Sequence, residues 1–365
     1  MTTTSDVTPS RLKAPPSQWF GSAKRSSLVW YAARRLVVVV PQLLLVSMLT
    51  FIGTLLTPGN PARAQLGSFA SAQAVHNLEV QQGLNAPPIQ RYLIYLGRLV
   101  HGDFGQSWVS GHSVTSDLLT RGPATFELIT MGLLGALVVA IPLGVLSAVK
   151  HEGIVGRVVE RASSIYALMA GAIPDFWLAL ILIFIFYSIV KIAPAPIGQL
   201  SLNVAPPPRV TGMIVVDSLI SGDWTALGDS LAHLALPVLT LTFVNAAPIL
   251  RMTRNMVLST SQAEFVRFGR ANGLSPGMVK RYTLRNAAPP IITLGGVIYA
   301  QLVAGAVLTE TIFSWGGVGQ YAVQSVVNAD WAALEGVIVV AAAFSLLTYL
   351  VIDLVHAAVD PRYRL

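Results

Sequence analysis

The sequence predicts an all-α polytopic membrane protein that crosses the bilayer six times, with both termini in the cytoplasm. Three observations carry that reading. Apolar residues make up 53% of the chain and charged residues only 11%, where an ordinary soluble domain carries about 25% charged residues; mean hydropathy is +0.63. The apolar residues fall in runs of roughly 20, the length a helix needs to cross a hydrocarbon layer of about 30 Å. The basic residues are also sorted: 18 of the 24 Lys and Arg lie in segments that six crossings place on one side, and six on the other. That asymmetry marks the cytoplasmic side, so the net charge of +7 reports membrane topology rather than a nucleic-acid partner. With no cysteine, disulfides, thiolate metal sites and a cysteine nucleophile are excluded.

Residues 1–34 form a Ser/Thr/Pro-rich cytoplasmic tail ending in Arg34, and residues 35–57, with the apolar run Leu36–Thr57, form the first span. A cleaved signal peptide is the rival there, because Ala62-Arg63-Ala64 resembles a cleavage site. The apolar run exceeds a signal core of about 7–15 residues, which favours a retained span. Residues 58–124 are mostly polar, with four basic residues and an amphipathic patch at Gln90–Val100, and read as extracytoplasmic. A transmembrane core follows over residues 125–358. Its spans are Thr125–Val149, Ala162–Val190, Leu231–Leu250, Pro290–Thr309 and Gly336–Ala358, with residues 359–365 as a cytoplasmic end. In the fifth span Gly296, Ala300 and Ala304 recur every four residues, the pattern of a face where helices pack closely in lipid. No internal repeat is evident.

The most distinctive stretch is the loop 251–288. It carries seven Lys and Arg against one acid, Glu264. Ser261 and Glu264 have the spacing of a capping box, in which each side chain satisfies one free backbone N–H at a helix start. Gly273 suits the left-handed residue that ends a helix, and Ser275-Pro276 suits the start of the next. Phe265, Phe268 and Leu274 make this short helix apolar on one side, while Arg267 and Arg270 make it basic. Read from charge alone, the loop only fixes orientation.

Catalytic motifs appear as fragments. Ser147-x-x-Lys150 matches a serine-acylase pattern, but at a membrane end where a lysine snorkels in any case. His151-Glu152 lacks the second histidine of a zinc-protease motif, and Gly317-Val318-Gly319 lacks a third glycine and a preceding strand. No lysine follows a glycine, so a phosphate-binding loop is missing and any ATP hydrolysis belongs to another subunit. The chain therefore reads as a non-enzyme with no catalytic and no metal-binding residues. Two acids fall within spans, where charge is costly and often functional. Asp175 follows Pro174 and is equally compatible with lining a pathway or with structural pairing; Asp353, near a cytoplasmic end, is better explained by interactions at the basic interface. Phe176, Trp177 and Trp315 read as packing or interface aromatics.

The loop resembles the cytoplasmic "EAA" loop of ABC importer permeases in Arg270-Ala271-Asn272-Gly273 and in Arg285-Asn286-Ala287-Ala288-Pro289. From Arg35 to Arg364 the chain is similar to the B-type permeases of the dipeptide, oligopeptide and nickel group. The matching residues include Pro58-Gly59-Asn60-Pro61-Ala62, Gly83-Leu84-Asn85, Gly102-Asp103-Phe104-Gly105-Gln106-Ser107 and Ile173-Pro174 with Phe176-Trp177. Glu310-Thr311-Ile312-Phe313-Ser314-Trp315, Asp330, Asp353 and Asp360-Pro361-Arg362 match as well. Asn60 and Asn85 stand where the family usually has Asp, and Gly316 where it has Pro.

The resemblance implies a type I importer permease fold in a multi-pass cell-membrane protein surrounded by lipid. It also implies a homologous second permease, two ATPase subunits that bind the ATP and Mg, and an extracytoplasmic solute-binding protein that delivers peptide. It implies no cofactor in this chain. The residues implied to dock on an ATPase subunit are Ala263, Glu264, Phe265, Arg267, Arg270, Ala271, Asn272, Gly273 and Leu274. The rival is an ion-gradient-driven secondary transporter with Asp175 as the ion ligand at a broken helix. An intramembrane hydrolase is less favoured still, since Asp175 and Asp353 lie on distant spans.

Overall fold

A computed structural model describes residues 28–56, 60–67, 69–149 and 154–359. Most of the N-terminal tail, residues Lys150, His151 and Glu152, and Asp360-Pro361-Arg362 lie outside the described residues. The described chain begins with α1 (Leu28–Leu56), followed by three short helices, α2 (Pro61–Leu66), α3 (Ala72–Gln82) and α4 (Pro88–Val100). Next come α5 (Val114–Val149), α6 (Ile154–Ala172) and α7 (Asp175–Leu182), the last continued by a π-helical stretch Ile183–Ile189. After α8 (Ile214–Ser221) run α9 (Trp224–Ser261), α10 (Glu264–Ala271) and α11 (Pro276–Gly305). The chain closes with α12 (Val307–Ile312), α13 (Val318–Val327) and α14 (Trp331–Val359).

Five of these helices, α1, α5, α9, α11 and α14, are long and apolar enough to cross a membrane. The expected third span, Ala162–Val190, is not one continuous helix. It is a pair, α6 and α7, bent by 104°. The break falls at Ile173-Pro174 because proline cannot donate a helical hydrogen bond and drives the preceding residue out of helical conformation. The fifth span also ends earlier than expected, at Gly305, with a separate short α12 after Ala306. The sixth starts a turn earlier, at Trp331, so Glu335 belongs to it.

The core is built around α5 and α9, which run parallel. Along α5 the buried residues Gly132, Ala136, Ala140, Gly144 and Ala148 recur every four positions, a small-residue face that lets the backbones approach. At Gly144 the approach reaches the backbone of α9: a Cβ would lie 2.7 Å from Thr253 Cβ and 2.9 Å from the Leu250 carbonyl oxygen. Leu128, Ile129, Leu241, Ile249, Leu250 and Ile298 fill the shared core with Trp315. The predicted seam on α11 is present in part. Gly296 meets Ile352 of α14 and Ala300 is buried against the same helix, its carbonyl accepting from the Ser345 hydroxyl at 3.3 Å, but Ala304 is exposed.

At the end of the bundle remote from α10, buried acids tie loops to helices. Glu310 is fully buried and accepts from the Thr125 hydroxyl at 2.6 Å and the Gln320 N–H at 3.0 Å. Burial pushes its carboxyl above the ordinary value, while the Thr125, Gln320 and Gly319 donors pull against that shift. Asp330 accepts from Ser107, and Asp117 from Ser110 and Tyr321, which clamps residues 103–113 onto the core. For Asp217 burial works to raise the pKa, but the N–H groups of Thr211, Gly212 and Val210 and the Thr211 hydroxyl win and hold it below the ordinary aspartate value. Asn60 caps α2 through its amide oxygen, and its amide nitrogen donates to Glu79. An aspartate there could not donate that second bond.

Candidate functional site

The stretch 251–288 is mostly helix rather than loop. Nothing between Arg251 and Ser261 breaks a helix, so α9 continues through Ser261; α11 begins at Pro276 and runs on through Pro289 and Pro290. At 1.5 Å per residue the 36 and 38 residues of α5 and α9 extend over roughly 54–57 Å. That exceeds the roughly 30 Å of hydrocarbon. The ends of α9 and α11 thus form a stalk held by Ala148, Val257 and Ala287, with Val145, Met256 and Leu284 around them. Arg254 on this stalk pairs with Glu160 of α6. Across the top of the stalk lies α10.

The predicted capping box is absent. Ser261 is the last residue of α9, and its hydroxyl donates back to the Leu258 carbonyl at 2.7 Å. The N-cap of α10 is Ala263, with no side-chain cap. Because α9 does not stop where the motif would start the next helix, the serine is used by the helix it ends. Glu264 instead contributes charge in the first turn of α10, where a carboxylate favours the helix dipole.

The predicted helix stop is present. Gly273 has φ +76°, its N–H donates to the Arg270 carbonyl at 3.1 Å, and the Leu274 N–H donates to Gly269 at 3.1 Å. These two bonds, with Leu274 packed on Gly269, form a Schellman closure that needs a left-handed residue at Gly273. The Asn272 amide adds a bond to the Phe268 carbonyl at 2.8 Å.

Val266 and Gly269 are the buried face of α10, against the stalk. Glu264, Arg267, Arg270 and Ala271 are exposed. So are Phe265 and Phe268, at 47% and 72%. Two aromatics flanked by cations are therefore held outward by a rigid closure, an arrangement suited to docking in a partner's groove.

The two intramembrane acids part ways. Asp353 of α14 pairs with Arg35 of α1 at 2.8 Å. Asp175 begins α7, its carboxylate accepting the N–H of Phe176 at 2.8 Å; Pro174 is the residue before it at the bend. Trp315 is a packing residue, buried and donating to the Ala124 carbonyl at 3.0 Å. Ser147 is fully buried, which removes the acylase reading. Sequence reasoning missed the α5 seam and the Arg254–Glu160 brace. The seam is written in the four-residue recurrence of Gly and Ala, whereas no local signal marks the brace.

The described residues thus define a helical membrane bundle with an outward-facing amphipathic helix between two of its spans. The chain matches the family model "Binding-protein-dependent transport system inner membrane component" over residues 140–365, and the model of that family's N-terminal part over residues 28–129. It is 39% identical to the "Probable D,D-dipeptide transport system permease protein DdpB" of Escherichia coli over 87% of this chain and 92% of that protein. It is 35% identical to the di/tripeptide transport system permease protein DppB of Pseudomonas aeruginosa, over 92% of this chain and 98% of the relative. It is 34% identical to the dipeptide transport system permease protein DppB of Alkalihalophilus pseudofirmus, over 92% and 99% respectively. This chain belongs to the family of binding-protein-dependent transport system inner-membrane components. It is accordingly a multi-pass membrane permease subunit, and the ion-gradient alternative is not favoured.

Proposed function

We propose that this chain forms half of the translocation pore of an ATP-driven importer of di- or oligopeptides. It receives peptide from an extracytoplasmic solute-binding protein and pairs with a homologous second permease. Its termini and α10 face the cytoplasm, where α10 docks on one of two ATPase subunits that bind the ATP and Mg. Closure of the ATPases pushes α10, and the stalk of α9 and α11 carries that movement into the spans. The break at Pro174 and Asp175 lets α7 move apart from α6 at the pathway. The observation that carries this reading is the outward pair Phe265 and Phe268 on a helix locked at Gly273. The peptide assignment is supported by the dipeptide permeases to which the chain is similar along nearly all its length.

The test is uptake of labelled dipeptide by the reconstituted complex. Phe265→Asp and Gly273→Pro are expected to abolish ATP-dependent uptake while the permease stays in the membrane. Normal uptake by both variants, or uptake that needs an ion gradient and no ATP, overturns the proposal.

A further inference from the structure

Two polar contacts join α1 to α14, one near each end of the pair. Arg35 binds Asp353 at 2.8 Å, and Glu335 faces Thr54 together with Arg91 of α4. The contacts are 18 to 19 residues apart on either helix, roughly 27–29 Å at the helical rise, and the hydrocarbon layer is about 30 Å thick. Between them neither helix has a charged residue. The two contacts therefore bracket the hydrocarbon, with Thr54 and Glu335 at the boundary remote from α10.

Against that scale α4 lies low. The Tyr92 hydroxyl is 3.0 Å from Ser47 Oγ and 3.2 Å from the Leu44 carbonyl. Those residues are seven and ten positions inward of Thr54, about 10 and 15 Å along the helix. Tyr95 stacks on Phe51 with ring centres 6.0 Å apart, and the Arg91 guanidinium sits 5.9 Å from the same ring. α4, within segment 58–124, is thus packed along α1 between the two polar contacts.

The faces of α4 are reversed for a helix in water. Arg91 and Tyr95 are half-buried and, with the more exposed Arg98, line a cavity of about 560 Å³ shared with Glu335 and Asp103. Ile89, Leu93 and Val100 point outward and are exposed, and no residue of α4 is buried. Leu45, Leu49 and Ile52 of the neighbouring α1 are exposed as well. Apolar residues outward, with Arg91 and Arg98 turned to a cavity that also holds Glu335 and Asp103, suit an acyl environment.

We propose that α4 is an interfacial helix embedded in the outer leaflet, with its Ile89, Leu93 and Val100 face among lipid acyl chains. The choice of leaflet rests on the orientation proposed above; the depth does not.

The absence of cysteine makes the test direct. Single-cysteine variants Leu93→Cys and Val100→Cys are spin-labelled in the assembled transporter in phospholipid nanodiscs, with Leu49→Cys in α1 and Asn77→Cys in α3 as references. Labels at 93 and 100 are expected to favour collision with oxygen over an aqueous nickel chelate, as at 49 and opposite to 77. Behaviour like that at 77 overturns the proposal, as does shielding from both reagents, which would place a protein partner on this face. A bimane at the same positions in sided vesicles is expected to be quenched by brominated lipid confined to the outer leaflet. Quenching from the inner leaflet alone would overturn the orientation and leave the depth standing.

Discussion

Truncation of Phe268 to alanine separates docking from folding. The side chain is 72% exposed, so about 140 Å² of an aromatic surface of roughly 150–250 Å² stands open for a partner to cover. At about 25 cal/mol per Å², and with part of the area retained by the alanine methyl, the loss on binding is about 2–3 kcal/mol. That corresponds to a roughly 30- to 150-fold weaker complex. The assay is titration of purified ATPase subunits against the permease pair in nanodiscs, with membrane abundance and thermal unfolding of the permease measured in parallel. Phe268→Ala should weaken binding and leave unfolding unchanged. Val266→Ala, at a buried position on the opposite face, should do the reverse, at about 1–3 kcal/mol of stability. If Phe268→Ala binds the ATPases as tightly as the parent chain and imports normally, the argument that α10 docks through its aromatic face fails.

Gly144→Ala places a methyl 2.7 Å from Thr253 Cβ and 2.9 Å from backbone, so it should cost about 1–3 kcal/mol by overpacking and lower the unfolding temperature in detergent. Gly171→Ala, with nothing within 4 Å, should not; equal behaviour of the two would contradict the α5–α9 seam. Asp353→Asn removes a part-exposed ion pair worth about 0–1 kcal/mol, and dipeptide uptake should stay within twofold of the parent; a loss beyond tenfold would give Asp353 a role in transport. Asp175→Asn keeps an acceptor for the Phe176 N–H, so ATP-driven uptake should persist. Its loss together with insensitivity to ATP would favour an ion site at the bend.

The spans were legible because burial in lipid demands long uninterrupted apolar runs, and this chain has them at α1, α5, α9, α11 and α14. The helix stop at Gly273 was legible for a similar reason: a left-handed residue that continues no helix is a local requirement. Ser261 misled because a capping box and the last turn of a preceding helix use the same hydroxyl, and local spacing does not say which helix owns it. The bend at Pro174 could be read as a weakness but not as 104°, since the angle depends on the contacts α7 makes with its neighbours. Glu310 and Asp330 were visible as part of a motif, yet their partners Thr125 and Ser107 lie 185 and 223 residues away.

The sequence by itself determined that this chain lives in a membrane and where a short amphipathic helix must end. Those properties follow from the solvation of individual residues and from backbone geometry over a few positions. Only the tertiary structure decided that the ends of α9 and α11 pack together, that α5 carries a glycine and alanine seam against α9, and that α4 lies beside α1. Each of these depends on which distant surfaces meet, and side-chain contact across hundreds of residues is set by packing rather than by any local pattern.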